Sequence, residues 1–201
     1  MNPSPAAPVR IALPVGRLLC HTLRLLETLH IAAPVAPLRR TSCPQRTWTI
    51  HLLKVQDIPS LVADGAIDVA VAADEWILET GATVDITATL GWLPGRICLL
   101  AQAAARPADE PRVATPYPQI ARRALAATHP HLHIRAIHGS AEAYPPDLAD
   151  LVVDYVETGA AAATHHLQTI QTLHTCGVSV ITSPGAAPHV TEAARQLHTA
   201  A

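Results

Sequence analysis

The chain has 201 residues, 49% of them hydrophobic and 15% charged, enough apolar material for one folded domain or two small lobes and too much for a disordered chain. A formal charge of -2 supplies no general basic field, so nucleic acid is not expected as a partner and any anion site has to be local. No apolar run approaches the roughly 20 residues that would span a bilayer, and "MNPSPAAPVR" lacks the regions of a secretion signal. No membrane partner is therefore expected, and the location is expected to be cytoplasmic.

In chain order, "VRIALPV" (9–15) reads as a strand. Gly16 then opens a helix through about His30 with Leu18, Leu19, Leu25, Leu26 and Leu29 on one stripe. "TWTIHLLKV" is a second strand. "DIPSLVADGA" places Ile58, Leu61 and Val62 on one helix face and stops at Gly65. "IDVAVAA" is a buried strand, and "DEWILETG" a short helix ended by Gly81.

The second half repeats this alternation. "RICLLAQA" is a strand, followed by a Pro- and charge-rich break, "AAARPADEPR". "RVAT", "YPQIARRALAATH" and "LHIRAIHGS" give strand, helix and strand; "AEAYPPDLA" is a short helix cut by Pro145-Pro146. "DLVVDYV" is the next strand, a helix follows from about Ala160, then two strand-like runs, "TIQTLHT" and "GVSVITS", and a closing helix from Pro188. The alternation predicts an α/β fold with parallel-rich sheets in two lobes. Lobe I is residues 1–102 plus 175–201, and lobe II is residues 103–174. No fixed-period repeat is present.

Cys20, Cys43, Cys98 and Cys176 are too widely spaced for a zinc site or a disulfide framework and read as buried free thiols. Twelve histidines invite a metal, but His131 and His133 are spaced as on one face of a strand, and His165 and His166 point apart on a helix. No protein cluster for a metal is expected.

Chemistry is expected at strand ends. Asp154 and Glu157 bracket one such end, and Thr158-Gly159 precede a helix start. That order suits a phosphosugar: N–H groups and a small hydroxyl hold the phosphate, while an acidic group accepts sugar hydroxyls or helps hold Mg²⁺. A helix cap followed by a turn glycine has the same local pattern.

Four stretches, "IALPVGRL", "VQDIPSLVADGAIDVAV", "RVATPYPQIARR" and "GSAEAYPPDLADLVVDYVETG", taken together with the spacings between them, resemble ATP phosphoribosyltransferase in its short, catalytic-subunit form. With Ala201 as the last residue read, the C-terminal regulatory domain of the long form is not expected. The resemblance implies a fold similar to periplasmic binding proteins with the active site in the inter-lobe cleft. It also implies transfer of ribose 5-phosphate from phosphoribosyl pyrophosphate (PRPP) to N1 of ATP with Mg²⁺, the first step of histidine biosynthesis. A homo-oligomer and a regulatory subunit resembling histidyl-tRNA synthetase are expected partners. By this correspondence Asp154, Glu142 and Arg17 are the catalytic candidates, and Asp154, Glu157, Thr158, Gly159, Ala160, Ala161 and Ala162 hold PRPP. Gly16, Arg17, Lys54, Ala72, Ala73, His138, Gly139 and Ser140 line the nucleotide site.

The departures from the family pattern lie at these positions. The family's Thr-Gly-any-Thr-Leu loop has Ala161 and Ala162 here, its Pro-Lys-Gly-Arg turn has Val15, its Gly-Ile-Thr-Gly is Val71-Ala72-Ala73-Asp74, and its Asn-Gly-Ser is His138-Gly139-Ser140. A relative with another acceptor or donor, or a nucleotide- or phosphosugar-binding protein without turnover, is the alternative.

Overall fold

The computed structural model describes residues 7–34, 38–103 and 110–201. It divides into two compact units, Met1–Trp92 with Gly177–Ala201, and Leu93–Cys176. The crossings fall earlier than expected at the first boundary and slightly later at the second, and both lie inside strands. Most of the Pro-rich break expected to mark the first boundary, residues 104–109, lies outside the described residues. Among the described residues no helix is long and apolar enough to cross a membrane.

The first unit contains β1 (Val9–Pro14), α1 (Leu19–Thr28), β2 (Arg40–Cys43), β3 (Trp48–Leu53), α2 (Ile58–Ala63), β4 (Val69–Ala73), α3 (Asp74–Thr80) and α6 (Pro188–Ala200). β1 lies between β3 and β4 and is parallel to both. β2 adds an antiparallel edge to β3. The second unit contains β6 (Arg112–Thr115), α4 (Pro118–Leu125), β7 (His133–Ala136), β8 (Leu151–Val156) and α5 (Ala160–Thr164). Here β6 lies between β7 and β8, again parallel to both.

Two long strands carry the chain between units: β5 (Asp85–Gln102) and β9 (Leu167–Thr182). β9 pairs antiparallel with β4, and β5 pairs antiparallel with β8. The strand order is β2-β3-β1-β4-β9 in the first unit and β5-β8-β6-β7 in the second. Each unit therefore has a parallel trio closed by one antiparallel strand. Ile58, Val62 and Ile67 pack with Ala12, Ala70 and Ile181 in one core, and Cys98, Leu100, Val152, Val156 and Leu167 in the other.

Several expectations are corrected. "TIQTLHT" and "GVSVITS" are one strand, because Gly177 does not turn; its N–H donates to Asp74 Oδ2 at 2.9 Å. "RICLLAQA" is the second half of β5, which begins at Asp85 and passes through Leu93 at φ 37°. "AEAYPPDLA" forms turns, since Pro145 and Pro146 provide no N–H for a helical ladder. Gly16 opens a 3-10 turn, Gly16–Leu18, before α1 begins, and β2 was not anticipated. α5 is a helix of five residues, ended near His166 at φ 57°. Cys20 is exposed, while Cys43, Cys98 and Cys176 are buried free thiols.

The same electrostatic device starts the parallel pair in each unit. Arg10 donates from its backbone N–H and Nε to Asp68 Oδ2 (2.7 and 3.0 Å) and from Nη2 to Oδ1 (2.6 Å). Asp68 N–H returns a bond to the Arg10 carbonyl. Arg112 makes the same three bonds to Asp150 (2.8, 3.1 and 3.0 Å), with the same return bond. Such a fork fixes two strand starts against each other by both main chain and side chain.

Two predictions follow from these contacts. A Cβ on Gly95 would collide with the ring of Tyr155, whose hydroxyl is anchored to the Leu93 carbonyl at 2.6 Å. Gly95→Ala is therefore expected to lower unfolding free energy by about 1–3 kcal/mol in urea titration. At Asp68 burial pushes the carboxyl up, but the Arg10 hydrogen bonds and charge outweigh it; at Asp150 the Arg112 hydrogen bonds dominate; both groups lie below their ordinary value. Their stabilisation is complete above the usual carboxylate pKa, about 4, and is lost as pH falls through the lower folded value. Asp68→Asn and Asp150→Asn should each lower stability at pH 7 and flatten the acid limb of the stability profile.

Candidate functional site

The candidate residues fall into two groups, one in each unit. In the first, β1 and β4 run parallel from the Arg10–Asp68 fork, so their following segments emerge as neighbours. After β1 the chain turns at Gly16, whose φ of 77° is a conformation L side chains rarely adopt. No atom lies within 4 Å of where a Cβ would sit, so the glycine serves backbone geometry there. Val15 N–H donates to the Leu53 carbonyl at 2.9 Å, which brings exposed Lys54, the residue after β3, beside this turn.

After β4 the chain enters α3 directly. Ala72 and Ala73 are completely buried, so they line a site only through backbone. The next two residues carry the polar chemistry. Asp74 accepts from Gly177 N–H at 2.9 Å and from the Ser179 hydroxyl at 2.8 Å, tying α3 to β9. Glu75 has a side-chain exposure of 0% and its Oε1 accepts from Arg17 Nη2. Burial pushes the Glu75 carboxyl above its ordinary pKa against the opposing pull of Arg17. Its second oxygen, Oε2, is buried without a hydrogen-bond partner among the described residues.

The second group is gathered by Asp154, 8% exposed in β8. Its Oδ2 accepts from Ala141 N–H at 3.0 Å and its Oδ1 from Tyr155 N–H at 2.7 Å. This bond holds the loop containing His138, Gly139, Ser140 and Glu142 to the end of β8. His138, Gly139 and Ser140 are exposed and Glu142 is half-buried. Beyond β8, Glu157 and Thr158 are exposed, and Gly159 is left-handed at φ 83° as the residue before α5. Thr158 Oγ1 accepts weakly from Ala160 N–H at 3.4 Å. Ala160 and Ala161 face solvent, whereas Ala162 packs in the core beside Val156 and Leu167. First-turn N–H groups of a helix have no intrahelical acceptor, and those of α5 follow an exposed hydroxyl and a glycine.

Sequence reasoning named Arg17 but missed its partner Glu75, and noticed Asp74 without its bonds to β9. The available signal was two acids opening a helix straight after a buried strand. Among the described residues no three His, Cys, Asp or Glu side chains gather as a metal site.

The ATP phosphoribosyltransferase (HisG) family model matches residues 54–200. An ATP phosphoribosyltransferase of Symbiobacterium thermophilum is 30% identical over 192 residues, covering 90% of this chain and 87% of that protein. One from Bordetella pertussis is 32% identical over 186 residues, covering 85% and 83%. Among solved structures, the ATP phosphoribosyl transferase (HisG:HisZ) complex of Thermotoga maritima contains a chain with TM-score 0.86 at 20% identity, covering 96% of this chain and 98% of that one. The alkanesulfonate-binding protein SsuA of Xanthomonas axonopodis pv. citri, bound to MOPS, matches with TM-score 0.57 at 16% identity over 96% and 73%. The last two likenesses establish the fold, which is that of two-lobed periplasmic binding proteins as expected.

Asp154 is a structural tie whatever it binds. Asp154→Ala leaves the Ala141 and Tyr155 N–H groups without their acceptor, and is expected to cost at least about 1–3 kcal/mol in urea unfolding. Asp154→Asn keeps an acceptor oxygen and should cost less.

Proposed function

The chain belongs to the ATP phosphoribosyltransferase family, and on that premise we propose that it transfers ribose 5-phosphate from PRPP to N1 of ATP, releasing pyrophosphate. This is the first step of histidine biosynthesis. The observation that carries the reading is the match to the family model over residues 54–200 and to relatives over most of the chain.

The residues have roles consistent with that chemistry. The N–H groups after Gly159, with the Thr158 hydroxyl, cradle the 5-phosphate. Asp154, through the loop it holds, and Glu157 serve the ribose, whose anomeric carbon gains positive charge as its bond to pyrophosphate breaks and the bond to N1 forms. Arg17 and Lys54 supply positive charge for departing pyrophosphate, and preorganised electrostatics of this type is usually the largest catalytic contribution. Gly16, Ala72, Ala73 and the His138–Ser140 segment approach the nucleotide mainly through backbone, and Glu142 lies beside that segment. No covalent intermediate is invoked. Cys98 is fully buried in β5, and Ser140 is an exposed loop residue.

Mg²⁺ enters as the counterion of PRPP. Mg²⁺ is usually held by substrate phosphates with one or two carboxylates, which Glu157 and Asp154 can provide without a resident metal cage. We place the enzyme in the cytoplasm as the short, catalytic-subunit form. We propose that it is a homo-oligomer with a regulatory subunit resembling histidyl-tRNA synthetase; the similarly folded Thermotoga maritima chain is part of a HisG:HisZ complex. The two units correspond in this reading to the two lobes, with lobe II carrying the phosphoribosyl loop.

Val15 and Ala161, where the family has Lys and Thr, favour a second reading in which PRPP binds without turnover. Calorimetric titration of PRPP with Mg²⁺, followed by assay of pyrophosphate release on adding ATP and a synthetase-like subunit, separates the two. Ala161→Thr is expected to tighten PRPP binding by about 0.5–1.5 kcal/mol, roughly three- to tenfold, because position 161 is exposed in the first turn of α5. Gly159→Val should abolish it, by blocking the ligand's approach to the backbone and because a β-branched residue resists this left-handed conformation. Unchanged PRPP affinity in Gly159→Val would mean that the loop only starts a helix.

A further inference from the structure

Glu75 is out of place by any structural criterion. It has no exposed side-chain surface, one oxygen bound to Arg17 and the other without a hydrogen-bond partner among the described residues. A buried ion pair of this type is weak for stability, and an apolar residue of similar volume is often as good or better. Removing a carboxylate from beside an arginine would also raise the attraction of that arginine for an anion. Both considerations argue against Glu75 unless it fixes something else. What it touches is the Arg17 guanidinium, whose side chain remains 34% exposed at the turn after β1.

We propose that Glu75 is a positioning residue: its buried carboxylate holds one edge of the Arg17 guanidinium and so orients this partly exposed cation for the pyrophosphate group of the substrate. The inference rests on the PRPP reading above and identifies how one of its cations is oriented. Three constraints make the clamp rigid. Gly16 sets the turn in a left-handed conformation, Glu75 leaves β4 without an intervening loop, and Asp74 is pinned to β9 by two hydrogen bonds. With Val15 in place of the family's lysine, Arg17 is the charged side chain that this turn carries, so its orientation has more to govern. A planar guanidinium gains from preorganisation because its donors form a fixed fork.

The test is calorimetric binding of inorganic pyrophosphate with Mg²⁺ to the full chain, which needs no turnover. Glu75→Met, close in volume and without acceptors, should weaken pyrophosphate binding about tenfold with the melting temperature unchanged or raised. Glu75→Gln, which keeps an oxygen for Arg17 Nη2, should return to within about threefold of wild type. In an Arg17→Met background, Glu75→Met should have no further effect on affinity. If Glu75 were merely structural, Glu75→Met would bind pyrophosphate as well as wild type or better, and that result overturns the proposal. Equal loss in Glu75→Met and Glu75→Gln also overturns it, as does a wild type that binds no pyrophosphate. A wild type that binds pyrophosphate and releases none from PRPP and ATP would remove the proposed reaction while leaving the clamp supported.

Discussion

The register between β1 and β4 is the constraint on which the first unit depends. Arg10 meets Asp68 across a separation of 58 residues, and Arg17 meets Glu75 across the same 58. One parallel pairing, with Ile11 opposite Val69 and Ala12 opposite Ala70, satisfies both ion pairs at once. A slip of one residue would break the fork at the strand starts, turn every buried side chain to the other face, and separate Arg17 from Glu75. The two pairs then do different work because their surroundings differ. At Arg10–Asp68, half open to water, charge is cheap to keep and its main product is geometry. At Glu75 the charge is fully desolvated, so the same chemistry is costly.

The second unit uses the device with other contents. "RIALP" and "RVATP" begin the two central strands, "DVAV" and "DLVV" begin the strands that pair with them, and the Arg–Asp fork closes each. Counting forward by the same steps, Arg17 corresponds to Gln119 and Glu75 to Glu157. In one unit the strand-end acid is buried against an arginine, and in the other it is exposed beside Thr158 and Gly159. A common scaffold thus presents a cation at one strand end and an anion with a glycine turn at the other.

Elements with a local cause were legible in the sequence. The buried strands β1, β4 and β8, the helix capped by left-handed Gly81, and α6 from Pro188 all follow from apolar runs and turn residues. What could not be read was decided by partners far away in the chain. Gly177 looked like a break and is a strand residue because Asp74 accepts its N–H from 103 positions away. The duplicated fork was hidden because its two copies have different separations, 58 and 38 residues, and a search for a fixed period passes over them. The candidate loop at Asp154–Ala162 was visible from its residue order, but Glu75 read as an ordinary first-turn acid. Burial is a property of the packed chain, and nothing in "DEWILETG" announces that its second acid has no water.

The same distinction between backbone and side chain bears on the alanine run. Position 162 lies in the core and position 161 in solvent, so replacing Leu and Thr by alanine there removes two different things. At 162 the loss is packing volume beneath the loop, and at 161 it is one hydroxyl above it. Neither touches the left-handed turn at Gly159 or the N–H groups that follow, because these belong to the main chain. A site built chiefly from backbone donors tolerates such substitutions in a way that a site built from side chains cannot. By contrast, the arginine end of the scaffold acts in the proposed reading only through a side chain, and there Arg17 is paired with the buried Glu75.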